Sequence, residues 1–235
     1  MNKYRKIKTL SKECLRGKSL CRTLHNIYLS SLPPFKGKGI DFGAKNASSS
    51  YYRFIDVSCA EMTYTDFYSQ SSNKIKSIDF EKAFDLSECK YDFALCMNTL
   101  EHVYNHQKFL KNICNSLNDG GHLEGVVPFL HYFHADPNDY FRYTHTALQR
   151  LLKEAGFDEI EIKKIGCGGF TVSAGMISRI LKFKPLVLIS WFVCIFLDKA
   201  LNKFWRVNSD IYGALVFSAT KRPLSAEAAP HANHL

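Results

Sequence analysis

The chain has 235 residues, 46% of them hydrophobic and 23% charged, with a net charge of +9. That size and balance suit one soluble domain able to bury a core unaided, and exclude a disordered, collagenous or disulfide-stapled chain. The charge is uneven: residues 1–24 carry eight basic side chains against Glu13 (net +7), 179–206 carry six against Asp198 (+5), and 25–178 sum to −3.

In chain order, Ile7, Leu10, Cys14, Cys21 and Leu24 recur at helical spacing within 5–25, which predicts a basic amphipathic helix that covers the sheet or meets an anionic surface. Residues 1–30 read as a helical extension, 31–221 as the main domain and 222–235 as a tail. Ser30 to Gly39 is Pro- and Gly-rich and reads as a linker. Strands are predicted at Ile40–Ala44, Tyr52–Val57, Ile75–Phe80, Tyr91–Met97, Leu123–Val127, Glu159–Ile165 and Tyr212–Ala219, the last at or near an edge. Helices are predicted over 106–118 and over 144–155, the latter stopped by Gly156. Strands alternating with helices imply an α/β, doubly wound, mostly parallel seven-stranded sheet. A helical insertion at about 167–210 precedes the last strand. Within it, 185–197 has no charge over 13 residues, reaching roughly 20 Å as a helix against a hydrocarbon core of about 30 Å. It is too short to span; a lid, a dimer interface and an interfacial membrane helix with lysine flanks remain open.

Eight cysteines show no CxxC pair and no regular spacing, so reduced thiols in a cytoplasmic protein are expected, with no metal site. No secretory signal is expected either, because no apolar core precedes Leu20.

The polar residues gather where predicted strands end, the usual ligand edge of an open α/β sheet. Asp41 and Gly43 follow the first, Asp56 ends the second, Asp79 ends the third, and Asn98 to His102 follow the fourth. A glycine there lets a ligand approach the backbone, and an acid at the second strand can accept ribose hydroxyls. Glu101 and His102 read equally as residues closing the pocket at that edge and as a helix-start carboxylate and a structural histidine. After the fifth strand come His131, His134, Asp136, Asp139, Arg142 and Tyr143. His134, then Asp139, is the first candidate for a proton-accepting or orienting group, although Asp139 and Arg142 can also simply pair.

These segments, GIDFG at 39–43, FID at 54–56, YDFALCMNTLEHV at 91–103, LNDGGHLEGVVPF at 117–129, HADPNDYFRYT at 134–144 and LLKEAGF at 151–157, resemble the class I S-adenosylmethionine-dependent methyltransferases, in particular their type 11, small-molecule and sugar-directed subgroup. The resemblance covers about residues 39–166 and implies a Rossmann-like methyltransferase fold with S-adenosyl-L-methionine as cofactor. It implies cofactor contacts from Asp41, Phe42 and Gly43 at the methionine end, Asp56 at the ribose, Asp79 and Phe80 at the adenine, and Asn98 and His102 beneath. His131, Arg142 and Tyr143 fall on the acceptor side. The implied reaction is methylation of an oxygen or nitrogen of a sugar or other small or lipid-linked acceptor. Lys45 and Ala47 stand where relatives carry further glycines. Lys45 either obstructs the cofactor or pairs with its carboxylate, and the first case describes a binding or scaffolding protein on the same fold. An anionic membrane is a possible partner in this reading. Nucleic acid is not expected, since the basic residues lie at the two ends without an aromatic–basic signature.

Overall fold

The computed structural model describes residues 2–44, 48–66, 75–84, 86, 90–178, 180–181, 183–204 and 210–223. The tail expected from 222 thus lies outside the described residues after 223.

The expected single basic helix is two. Helix α1 (Lys3–Leu15) and helix α2 (Leu20–Leu29) are separated at Gly17, whose φ of +75° breaks the first, while the Ser19 hydroxyl caps the second by accepting the Arg22 N–H at 3.2 Å. Strand β1 (Lys36–Phe42) starts inside the expected linker. A 3₁₀ turn (Ser50–Arg53) follows, then β2 (Cys59–Asp66), β3 (Ile75–Ser77), β4 (Tyr91–Met97), a 3₁₀ turn at Leu100–His102, α3 (His106–Ser116), β5 (Leu117–Pro128) and α4 (His145–Glu154). After β6 (Phe157–Ile165) come α5 (Gly169–Ile177), α6 (Lys184–Phe204) and β7 (Ala214–Lys221).

The seven strands form one sheet in the order β3-β2-β1-β4-β5-β7-β6. The first five are parallel neighbours, and β7 runs antiparallel to both β5 and β6. This is the Rossmann-like methyltransferase architecture, with the helical insertion before the last strand. Strand order reverses between β1 and β4, and their carboxyl ends open the crevice in which such sheets bind ligands.

One strand expectation is corrected. Residues 52–57 are not the second strand: Tyr51 and Tyr52 sit in or beside the 3₁₀ turn and aim their hydroxyls at Asp41, and the strand runs seven residues later at Cys59–Asp66. The last strand lies near the edge as expected, inserted between β5 and the edge strand β6.

One core lies under α3 and α4, where Phe42, Phe109, Leu110, Leu148 and Phe217 are fully buried. The opposite face packs Leu29, Phe35, Phe93 and Val126, with α2 over them. A third cluster, with Leu10, Cys14, Leu20, Val187 and Trp191, fastens α1 and α6 onto α2. The amino-terminal helices and the insertion are therefore one layer, and together they roof the carboxyl ends of the central strands.

Candidate active site

The site begins with two backbone turns. After β1, Gly43 adopts φ +90°, and a Cβ there would meet the Thr99 Oγ1 at 2.7 Å, so glycine is required on both counts. After β4, Asn98 adopts φ +58°, a left-handed conformation that asparagine tolerates better than most residues. The two turns are tied together by the Thr99 hydroxyl, which donates to the Phe42 carbonyl at 2.8 Å.

Between these turns and the helical layer lies a cavity of about 820 Å³. Gly43, Asn98, His102, His131 and His134 line it from the sheet side, as do Arg22 and His25 from α2 and Leu181, Lys184 and Val187 from the insertion. Arg22 is the residue that sequence reasoning missed. Its guanidinium donates to the Asn98 Oδ1 at 2.6 Å and to the Ser50 Oγ at 3.3 Å, and it lies 5.7 Å from the centroid of the Tyr51 ring. Nothing distinguished it from the other cations of a basic helix, because its role arises only when α2 is laid over the β1–β4 crevice.

Glu101 is fully buried at the floor. Its Oε1 lies 3.6 Å from the His134 Nε2 and 3.7 Å from the His102 Nε2, while its Oε2 has no hydrogen-bond partner among the described residues. The Glu101 carboxylate raises the His134 pKa above its ordinary 6.5, whereas burial lowers that of His131 and drives that of His25 far below it. The His134 Nδ1 is 3.3 Å from the Tyr132 carbonyl, which favours the tautomer protonated there and leaves Nε2 as the basic atom. Donor atoms of Glu101, His102 and His134 all lie within 4.8 Å of one another, so this trio is also the place where a divalent cation could be held, a group the cysteine spacing gave no hint of.

Other expected site residues hold the frame instead. Asp139 is not a base: its carboxylate takes both Arg142 guanidinium nitrogens at 2.5 and 2.6 Å and the His134 N–H at 2.8 Å, which holds its pKa well below the carboxylate range. Arg142 is correspondingly spent on Asp139 and on the Tyr132 and Phe141 carbonyls at 3.2 and 2.8 Å rather than on an acceptor. Tyr143 is buried and donates to the Leu100 carbonyl at 3.1 Å. Together with the Asn138 carbonyl against the His102 Nδ1 and the Tyr140 N–H on the Glu101 carbonyl, these bonds clamp the 132–144 loop and fix His134 over Glu101.

On the cofactor side, Phe42 packs into the core against Phe80, Phe84 and Phe109 instead of facing the cavity, and Phe80 follows it, its ring 4.8 Å from that of Phe109. Asp41 is buried beneath the crevice, where its Oδ2 accepts the Tyr51 and Tyr52 hydroxyls at 2.6 and 2.5 Å and Oδ1 has no partner among the described residues. Burial raises its pKa to about 6 despite those two donors. Asp56 lies at the wrong edge of the sheet: its carbonyl accepts the Phe35 N–H just before β1, and its carboxylate binds Ser58. The acid that ends β2 is Asp66, next to Ser77 in the register. Asp79 lies two residues beyond β3 and pairs with Lys82 at 3.0 Å, away from the cavity wall. Lys45 lies outside the described residues.

Residues 27–162, more than half of the chain, match the profile of a methyltransferase domain. The chain belongs to that family: it is a class I methyltransferase, an enzyme that uses S-adenosylmethionine. No curated protein matches its sequence. Among solved structures, the [4+2]-cyclase SpnF superposes with a TM-score of 0.54 at 14% identity, covering 86% of this chain and 81% of its own. An S-adenosylmethionine-dependent methyltransferase from Mesorhizobium loti gives 0.53 at 14% identity over 86% and 98%. A chain of the complex containing the Haloferax volcanii Trm112 methyltransferase activator gives 0.53 at 14% over 96% and 95%. At these identities the likeness is one of fold, and the first of the three is a cyclase, so the acceptor chemistry has to be argued from this chain's own residues.

Proposed function

We propose that this enzyme methylates an oxygen of a sugar or another small or lipid-linked acceptor, with His134 taking the acceptor proton. The observation that carries the proposal is the His134 imidazole on the cavity wall, 3.6 Å from a fully buried Glu101. S-Adenosylmethionine, when bound, supplies a sulfonium methyl group open to displacement. The methyl group would pass to the acceptor oxygen with S-adenosylhomocysteine as the other product, and the His134 Nε2 would take the acceptor's hydroxyl proton. Glu101 stabilises the imidazolium so formed, and the Asp139–Arg142 pair keeps the ring in place. Gly43 and Asn98 would form the backbone edge that holds the cofactor, and Arg22 would offer a cation to its carboxylate.

The test is methyl transfer to a panel of sugar and lipid-linked acceptors. His134→Ala is expected to lower the rate by about 10²–10⁴-fold, the usual worth of a positioned acid–base group, while S-adenosylhomocysteine affinity is kept. An unchanged rate refutes the role. The type 11 grouping remains part of this reading, supported by the 91–144 motifs, and so does a cytoplasmic setting, supported by free thiols at the seven described cysteines. The second reading, a binding protein on the same fold, rests on Lys45 and Ala47. Gained cofactor affinity in Lys45→Gly supports it, and reduced affinity opposes it.

A further inference from the structure

Helix α6 is apolar on two sides. Its inner side, through Val187 and Trp191, packs in the cluster with α1 and α2, and Asp198 there accepts the Phe170 and Thr171 N–H groups at 3.1 and 2.6 Å. Its outer side carries Leu186, Ile189, Val193 and Phe196 at helical spacing, all more than half exposed or at that limit, with Phe196 at 70%. The segment leading into it adds Ile180 at 79% and Phe183 at 63%. Eleven of the nineteen large hydrophobic side chains left exposed among the described residues lie between 170 and 204. A water-facing helix would carry polar residues at these positions, and a patch of this kind marks an interaction surface.

Its charge says what covers it. Lys184 opens α6 and Lys199 and Lys203 close it, all exposed, while 185–197 carries no charge and Asp198 is buried on the inner side. Helix α1, packed beside it, adds exposed Arg5, Lys6, Lys8 and Lys12. An apolar strip bounded by lysines matches the boundary between acyl chains and anionic head groups. Helix α6 has 21 residues, about 32 Å long and enough to span a bilayer by length, but its inner side is bonded into the domain, which leaves it lying flat.

We propose that the outer face of α5 and α6 docks the enzyme on an anionic bilayer with the mouth of the cavity turned toward the lipid. Ser178, Leu181, Lys184 and Val187 belong both to this region and to the cavity wall, and Lys18 lines the wall beside them. The acceptor class served by this placement is a polar, anionic head group carried on a lipid, which enters past Lys18 and Lys184. That last step rests on the methyl-transfer reading above; the docking does not.

The test is flotation of the full chain with phosphatidylcholine vesicles with and without phosphatidylglycerol, alongside titration with S-adenosylhomocysteine. The protein is expected to float with the anionic vesicles, and Ile189→Glu/Phe196→Glu, changed only at the exposed face, to stay at the bottom with unaltered circular dichroism and S-adenosylhomocysteine affinity. Bromine-labelled anionic lipid is expected to quench added fluorescence of Leu181→Trp and not of Lys108→Trp on α3. Folded wild-type protein that stays at the bottom refutes the docking, as does a dimer that ignores vesicles and dissociates in the double variant. Equal quenching at both positions refutes the orientation. Flotation without S-adenosylhomocysteine binding overturns the enzymatic reading and leaves the docking standing.

Discussion

The buried Asp41 carboxylate makes a sharp stability prediction. Its pKa rises from an ordinary 3.8 to about 6 because burial outweighs the two tyrosine hydroxyls that donate to it. The folded state therefore holds its proton more tightly than the unfolded chain, so its contribution to stability falls as pH rises from about 4 to about 6 and is level beyond. At 1.36 kcal/mol per pKa unit, the ionised carboxylate costs ~3 kcal/mol above pH 6. Asp41→Asn keeps a side-chain oxygen for Tyr51 and Tyr52 and places the amide where Oδ1 already lacks a partner. At pH 8 the variant should be more stable by about 1–3 kcal/mol, and the advantage should shrink toward zero by pH 4. Urea unfolding of both proteins across pH 4–8 measures the difference and cancels every other titrating group. A variant that is less stable at pH 8, or a difference that does not vary with pH, refutes the assignment of a charge-burying cost to this side chain.

Three further outcomes follow from the site. The pH profile of methyl transfer should rise through an apparent pKa above 6.5, since His134 acts when neutral, and Glu101→Gln should move that inflection down by removing the carboxylate that raises it. Gly43→Ala forces a Cβ against the Thr99 Oγ1 at φ +90°; calorimetry should show at least a tenfold loss of S-adenosylhomocysteine affinity, and unfolding a loss of ~1–3 kcal/mol. Added Zn²⁺ should inhibit by occupying the His134 Nε2 within the Glu101–His102–His134 trio, and His102→Ala should relieve that inhibition.

The parts of the fold legible in the sequence are those where one physical signal dominates. The β4–α3–β5 unit announces itself by an apolar run, a helical stripe through Phe109, Leu110 and Ile113, and a second apolar run, because a parallel strand is buried on both faces. The β2 strand was illegible: CAEMTYTD is half polar and lies beside the three-residue β3, while the preceding YYRFI is aromatic for a different reason, the clamp on Asp41. Placing the second strand too early also put the strand-end acid at Asp56 instead of Asp66. Asp139 reads as a second proton-accepting candidate, and Arg142 and Tyr143 as acceptor contacts, because polar residues after β5 face the crevice by default; spacing allows the Asp139–Arg142 pair, but does not show the carbonyls that Arg142 and Tyr143 also bind. His134 was legible by residue type, and its partner Glu101 only as one of two alternatives. Arg22 and the two-sided apolarity of α6 depend on tertiary placement that no local pattern carries.

The β1–β4 crevice beneath α2 is where the methyl-donor cofactor is expected to bind. Calorimetric titration of the folded protein with S-adenosylhomocysteine tests it most directly. The protein is expected to bind it at one site per chain, with binding weakened by Gly43→Ala and by Arg22→Ala and unaffected by Asp56→Ala, whose carboxylate accepts from Ser58. Absence of binding in a cooperatively folded sample, or weakening by Asp56→Ala and not by Arg22→Ala, would contradict that placement of the cofactor.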